Sequence, residues 1–438
     1  MSGGSGRTTP VSRPVTVTLD GEPLEASEGE PLVCALAAAG KLALARSPKF
    51  HRPRGPSCLR AACDGCLARV DDAPNVMTCM VAAREGMTIR SQNTLGSRNV
   101  DLLRMTDWFF PDGMNHHELF AGVPGVQSLM QGFARRVAGL GRLPMGVAPP
   151  RGAIRRVGDV VVVGGGPAGM AVATRLADAG RSVEVIDDHL TIGGGLRALG
   201  KADARAWDGV AHTFETAVAT HGIRVRTATT AGALFGDDLL VVGPEGAEIV
   251  TAKCLVLATG AHDGVVPFEG NDLPGVMSAR AAGWLLSHGV VLGEKIVVVV
   301  YAGGGPFGEA YARALIEKKV QAEVTVVHGE LVRASGGSRV SGCVVRPYAD
   351  AAADGQATKA KTQKLEADTL LVDAPRAPSY ELAEQAGSPL VHAARGYVPQ
   401  APGRKIRDGV WLVGEAAGRP FTPEAFEADA AAVLNGQK

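Results

Sequence analysis

Four of the seven cysteines, Cys58, Cys63, Cys66 and Cys79, follow the spacing C-x4-C-x2-C-x12-C. So dense a thiol quartet in a long chain points to metal rather than to a disulfide scaffold. An iron–sulfur cluster needs four thiolates converging on two irons, and a short loop with a returning strand can deliver them. Soft sulfur donors select iron–sulfur or zinc over hard cations. Zinc is the competing reading, but structural zinc sites usually pair two C-x2-C knuckles, and only one is present. Gly65 falls between the second and third cysteines, where close backbone approach to sulfide is expected to favour it. Cys34 lies in an apolar helix and Cys254 opens an apolar strand. Both are expected to be buried structural thiols, and Cys343 also stands alone.

The residues around the quartet predict a compact unit. Val15 to Gly21 alternates and ends in a turn, as a strand entering a hairpin does. A helix is expected from Pro31 to Ala39, with Pro31 in its first turn and Gly40 just past its end. A strand follows near Leu67 to Val70. The segment resembles the β-grasp [2Fe-2S] domain of succinate dehydrogenase iron–sulfur proteins and of hydrogen cyanide synthase.

A second pattern begins at Asp159. Val160 to Val163 is a continuous apolar run, as a buried parallel strand requires. It leads into Gly164-Gly-Gly166-Pro167-Ala168-Gly169 and a helix ending at Gly180. The first glycine permits the tight turn, the second lets backbone approach a pyrophosphate, and the third lets helix and strand pack closely. The helix N-terminus offers free N–H groups and the positive end of its dipole. Asp187 ends the next strand, Val183 to Ile186, where it can accept from a ribose hydroxyl; Asp188 is the second choice. Gly194 and Gly195, in a run of three glycines, are expected near a flavin. Thr259 and Gly260 end the Cys254 to Ala258 strand, which follows a hairpin centred on Gly243 to Gly246. Near the C-terminus, Gly414 and Glu415 follow a strand and open a glycine turn leading to a helix.

A second βαβ unit spans Ile296 to Val327 and contains Gly303-Gly-Gly305-Pro-Phe-Gly308. Its second strand ends in His328, with neither an acid for a ribose nor an arginine for a 2′-phosphate. The reading therefore favours a structural role over NAD(P)H binding, with His328 a turn residue. No redox C-x-x-C lies near either glycine motif, so a disulfide reductase is not expected. Together these pieces resemble the two-dinucleotide-domain flavoproteins of the glutathione and thioredoxin reductase type. There the last motif usually carries Gly-Asp, with the Asp bonding the ribityl chain. Glu415 stands in its place here, so FAD or another adenine nucleotide could fill the first site.

The fold class expected is α/β: an N-terminal β-grasp [2Fe-2S] ferredoxin-like domain plus two Rossmann-like dinucleotide-binding domains. The expected divisions are a disordered 1–13, the ferredoxin-like domain 14–98 and a helical linker 99–156. The first part of the FAD or nucleotide domain follows at 157–285, the second NAD(P)-type domain at 286–392, and the rest of the first at 393–438. Arg151 to Arg156 is read as a solvated linker. With 45 basic and 45 acidic residues, a nucleic-acid partner is not expected. Many glycines (57) with few aromatics (5%) suit folds that bring backbone close to ligands. The N-terminal MSGGSGRTTPVSRP has no apolar secretory core, and no run of 18 apolar residues appears. A cytoplasmic location is the expectation.

Longer stretches carry a family resemblance: Ser47-Pro-Lys-Phe-His51-Arg-Pro-Arg54-Gly55, Phe109-Phe-Pro-Asp-Gly113-Met, and Arg135-Arg-Val-Ala-Gly-Leu-Gly-Arg-Leu-Pro144. The chain resembles the α-subunits of heterotetrameric sarcosine oxidase and of opine, proline and hydroxyproline dehydrogenases and hydrogen cyanide synthase. The resemblance implies a partner β-subunit that binds its own FAD and takes hydride from an amino or imino acid. It implies electrons passing to this chain, through FMN at the subunit boundary, and on through the cluster. Two departures stand out: the chain stops before the folate-handling region of sarcosine oxidases, and it keeps all four cluster cysteines, which those enzymes tend to lack. It therefore sits nearer the dehydrogenase and cyanide synthase branch. No catalytic residue is assigned; His116 and His117 are candidates by residue type only. The rival readings are a self-sufficient NAD(P)H-dependent reductase and a non-catalytic assembly subunit with a structural nucleotide.

Overall fold

The computed structural model describes residues 5–47, 50–92, 94, 96–105, 107, 125, 126, 128, 129, 149, 152–264, 266–348 and 361–437. The Phe109 and Arg135 motifs, His116 and His117 and most of the expected helical linker lie outside them.

The first unit is a five-stranded sheet in the order Glu22–Ser27, Pro14–Leu19, Thr88–Arg90, Leu67–Val70, Ala73–Met77. Its central pair, Pro14–Leu19 and Thr88–Arg90, is parallel, as in a β-grasp. Asp20 and Gly21 both take positive φ (51° and 86°), which matches the twist of a tight hairpin. The helix Leu32–Ala38 lies almost wholly in the core, and Gly40 leaves it with φ 72°. Pro31 caps this helix from outside rather than entering its first turn, with extended ψ of 128°.

The second unit is an eight-stranded sheet. Its main path runs Arg224–Arg226, Val183–Ile186, Ile154–Val163, Gly246–Leu257, Asp238–Gly243, Thr230–Phe235. Val410–Leu412 joins Gly246–Leu257 in parallel, so a C-terminal strand completes a fold begun some 250 residues earlier. The second arm of the expected hairpin and the expected Cys254 to Ala258 strand are one strand, Gly246–Leu257, pairing first with its hairpin partner and then with Val410–Leu412. The Arg151 to Arg156 stretch is not wholly linker: Ile154 already lies in the sheet. Arg155 pairs with Asp238 (2.8 Å), and Arg156 with Glu184 and Glu248 (both 2.7 Å).

The third unit is a six-stranded sheet in the order Val276–Ser278, Thr369–Asp373, Lys295–Val300, Glu323–Gly336, Val340–Pro347, Gln363–Glu366. Its helices Ala279–Ser287 and Phe307–Glu317 face the first unit. One continuous apolar cluster runs from Val17 and Leu36 through Trp284 and Val290 to Phe307. For the described residues 5–13 the expected disorder fails. Ser5–Arg7 forms an antiparallel strand on Val290–Leu292, and Arg7 pairs with Glu30. An edge strand satisfies those backbone groups despite the Gly/Ser-rich sequence. Among the described residues, no helix is long and apolar enough to cross a membrane.

Candidate iron–sulfur and nucleotide sites

The four cysteines meet at one end of the β-grasp sheet. Cys58, Cys66 and Cys79 are buried and Cys63 is half-buried. Their sulfurs form two pairs. Cys66 and Cys79 stand 3.6 Å apart, and the Cys58 and Cys63 thiols hydrogen-bond each other. A single zinc tetrahedron would gather all four sulfurs within about 4 Å of one another, given Zn–S bonds of about 2.3 Å. Among the described residues, no three of these sulfurs lie within 4.8 Å of each other. Two pairs suit two irons, each taking two thiolates, so the donor set fits a [2Fe-2S] cluster better than zinc.

The connecting loop holds Leu59 and Ala61 in the left-handed region, with φ 51° and 57°. The N–H groups of Arg60 and Ala62 turn to the Cys58 sulfur, and that of Ala61 to Cys79. A hydrogen bond from the Cys58 thiol, with backbone N–H groups of Gly65, Ser57 and Cys58, brings Cys63 down to about 5 against its burial. Metal binding requires thiolate, so the loop is prepared for it. Gly65 is small for a different reason than expected: a Cβ there would stand 1.8 Å from the Gly55 carbonyl oxygen. Backbone crosses backbone at that point.

The cluster loop is bolted to the nucleotide fold. Buried Arg280 donates to the Cys58 carbonyl and forks onto Asp263 (2.7 Å), which also accepts from Ser278 Oγ (2.8 Å). Burial opposes charge on Asp263, but Arg280 overrides it and holds the carboxyl at about 2. Arg60 donates to the Thr259 carbonyl (3.3 Å) and to that of Ala261. His189 reaches the Leu59 carbonyl (3.4 Å) from the opposite side, with Nδ1 2.8 Å from Asp188.

His189 supplies a pH prediction. Burial works against its charge, yet Asp187 and Asp188 raise it to about 9 from 6.5. Its folded pKa is raised, so its contribution is complete below about 6.5 and fades as pH climbs through 9. At about 1.4 kcal/mol per unit the contribution is at most about 3 kcal/mol. Thermal melts should fall between pH 7 and 9.5, and His189→Gln should flatten that slope. An unchanged slope in the variant would show that another group carries it.

The first glycine motif lines a cavity of about 360 Å³. Gly164, Gly166, Pro167, Ala168, Asp187, Gly194, Gly195, Thr259, Gly260 and Glu415 all border it. Gly169 and Gly414 stand behind the wall. A Cβ on Gly169 would meet the Gly164 carbonyl oxygen at 1.9 Å, and one on Gly414 would meet the Ala168 Cβ at 2.6 Å. Asp187 accepts from the N–H groups of Gly165 (2.7 Å) and His189 (2.9 Å), which fixes its carboxylate over the loop. Thr259 Oγ1 donates to the Ser379 carbonyl (2.9 Å). Glu415 lies 2.9 Å from Arg376, and burial raises its carboxyl despite that partner. Its carboxylate is thus already engaged by an arginine. Gly414 instead donates to fully buried Asp429 (2.8 Å). Arg197 Nε, Arg376 Nε and Ser379 Oγ are buried without partners, and all three residues border this cavity. Buried unpaired polar groups cost about 1–3 kcal/mol each. The wall is therefore built for a polar ligand, and with the glycine cradle it fits a dinucleotide. Sequence reading missed Arg60, Arg280 and Arg376, since nothing local marks a buried arginine.

The second glycine loop is different. Asp373, 4% exposed, accepts from Gly305 N (2.9 Å) and Gly308 N (2.6 Å). Burial raises this carboxyl to about 6 even against those donors. The carboxylate holds the place that a pyrophosphate takes at a helix N-terminus. The Phe307 ring covers Gly305, 3.0 Å from where its Cβ would be. His328 is exposed and lies 3.3 Å from Glu309, as a surface turn residue does.

Residues 12–94 match the family described as 2Fe-2S iron-sulfur cluster binding domain, and residues 158–341 match pyridine nucleotide-disulphide oxidoreductase. The sarcosine oxidase subunit alpha of Corynebacterium sp. (strain P-1) is 31% identical over 285 residues, covering 56% of this chain and 29% of that protein. The hydrogen cyanide synthase subunit HcnB of Pseudomonas protegens is 29% identical over 278 residues, covering 52% of this chain and 58% of that protein. The chain thus spans less than a third of the length of the sarcosine oxidase subunits it matches. L-proline dehydrogenase from P. horikoshii shares the fold, with a TM-score of 0.68 at 21% identity over 98% of this chain and 75% of that one. The chain therefore carries a region similar to 2Fe-2S cluster binding domains and one similar to pyridine nucleotide-disulphide oxidoreductases, and it resembles the α-subunits of sarcosine oxidase.

Proposed function

We propose that this chain is the electron-transfer subunit of a hetero-oligomeric oxidase or dehydrogenase acting on an amino or imino acid. The observation that carries the proposal is contiguity. Arg60, Ala61 and Ala62, between the first two cysteines, border the same cavity as Gly164 and Gly166. In this reading Cys58, Cys63, Cys66 and Cys79 hold the cluster. Gly164, Gly166, Pro167, Ala168 and Gly169 cradle the pyrophosphate of FAD, or of another adenine nucleotide, with Asp187 meeting its ribose. Gly194, Gly195, Thr259, Gly260, Gly414 and Glu415 shape the far end.

A flavin beside a two-iron cluster converts two-electron into one-electron transfer. This chain's own residues position and insulate. The N–H groups of residues 60–62 stabilise charge on sulfur, and Arg280 and Arg60 fix the loop against the cavity. Substrate oxidation then belongs to a partner β-subunit carrying its own FAD, with FMN at the boundary. The subunit names of the relatives support a hetero-oligomer. The Asp373 contacts favour this reading over a self-sufficient NAD(P)H reductase, because the second loop's donors are already taken.

The test is anaerobic purification followed by iron, sulfide and flavin analysis, EPR after dithionite, and NADH addition to the isolated chain. The expected result is an iron-replete flavoprotein that dithionite reduces and NADH does not. Colourless, iron-free protein would overturn the redox role, and rapid bleaching by NADH would favour the reductase.

A further inference from the structure

A second cavity, of about 520 Å³, opens on the other side of the cluster loop, bordered by Cys58 and Cys63 themselves. That volume lies within the range of about 300–1,000 Å³ typical of small-molecule sites. Ala62, His262 and Glu381 border both cavities and so divide this one from the nucleotide site.

Its chemistry is unlike that of the first cavity. Among the described residues no lysine, no arginine and no glycine-rich helix start borders it, so nothing there receives a phosphate. Of its two carboxylates, Asp263 has both oxygens committed to Arg280 and Ser278, and Glu381 is paired with His262. Val266 and Phe268 give it an apolar wall. Among the described residues that border it, one buried side-chain polar atom has no partner. His262 Nε2 lies 3.0 Å from Glu381, a pairing that puts its proton on Nε2, while buried Nδ1 has no partner.

From this we infer that the cavity binds a neutral, planar electron acceptor of the quinone class, stacked beside the Cys58–Cys63 edge, with His262 Nδ1 placed to accept from the hydroxyl that the ring gains on reduction. An apolar ring suits the wall, and its lack of charge suits a site without a counter-ion beside an anionic cluster. Two electrons, delivered one at a time through that edge, and two protons from solvent convert the quinone to its hydroquinone. The amine oxidised in the proposed complex supplies the electrons. The inference rests on the cluster reading above and adds the acceptor to it.

The probe is duroquinone, titrated calorimetrically into the oxidised full chain, with iron measured in the same samples. One saturable site per chain is expected. Val266→Trp, which fills the cavity, should weaken binding about tenfold or more with iron retained. Phe268→Ala, which opens it, should weaken binding several-fold. FMN should not compete. Absence of saturable binding to iron-replete protein, affinity unchanged in both variants, or displacement by FMN would each overturn the inference. Binding is read without turnover, so iron-free protein that still binds duroquinone at this site would overturn the cluster reading and leave the cavity assignment standing.

Discussion

Cys66→Ser should strip the protein of iron and of the cluster's share of its visible absorption, lowering iron retention by more than the tenfold or so that loss of a supporting hydrogen bond costs a metal site. The sulfur is buried, 1% exposed, and 3.6 Å from Cys79. A serine oxygen is a harder donor that soft iron–sulfur chemistry disfavours, and its shorter bond cannot reach the same point. Cys254→Ala is the matched control. That thiol is fully buried in the second unit, and burial pushes it up to about 11, so it is no ligand. It should cost stability and leave iron intact. If the serine variant kept its iron and the cluster's EPR signal, the pairing of Cys66 with Cys79 around one iron would be wrong.

Two alanine substitutions in the first glycine motif should separate folding from binding. At Gly169 a Cβ would fall 1.9 Å from the Gly164 carbonyl oxygen, a backbone atom held by φ 111° at its own residue. Overpacking of that kind costs about 1–3 kcal/mol or more. Gly169→Ala should therefore melt several degrees lower, at about 2–4 °C per kcal/mol, and lose its nucleotide. At Gly166 the nearest atom to a Cβ is the Gly194 Cα, 3.9 Å away, so the added methyl has room in the empty fold. Yet it occupies the path by which backbone meets a pyrophosphate. Gly166→Ala should keep its melting temperature and iron while nucleotide affinity falls about tenfold or more. Equal nucleotide content in Gly166→Ala and the parent chain would move the ligand elsewhere.

What the sequence made legible was local. The Val15 to Gly21 hairpin, the Val160 to Val163 strand, the glycine loops and the cysteine spacing each carry their signal within a few residues. They emerge where the pattern put them. What it hid was assembled at a distance. Asp373 meets Gly305 and Gly308 across 68 and 65 residues, and no spacing rule foretells a carboxylate lodged in a phosphate turn. Glu415 read as a partner for a ribityl chain, but Arg376 already meets it. Gly65 was read correctly as a crowded position and wrongly as crowded by sulfide. Residues 5–7 looked structureless because their composition has no strand preference. They are ordered because the Val290–Leu292 edge needed a neighbour.

That edge pairing bears on how electrons can travel. With Ser5–Arg7 stitched to Val290–Leu292 and a common core beneath, the described residues hold the ferredoxin-like module against the third unit. It cannot ferry charge by moving between donor and acceptor, as tethered carrier domains do. Every hop must then cross a gap whose width is set at folding, and a redox partner has to come to the cluster.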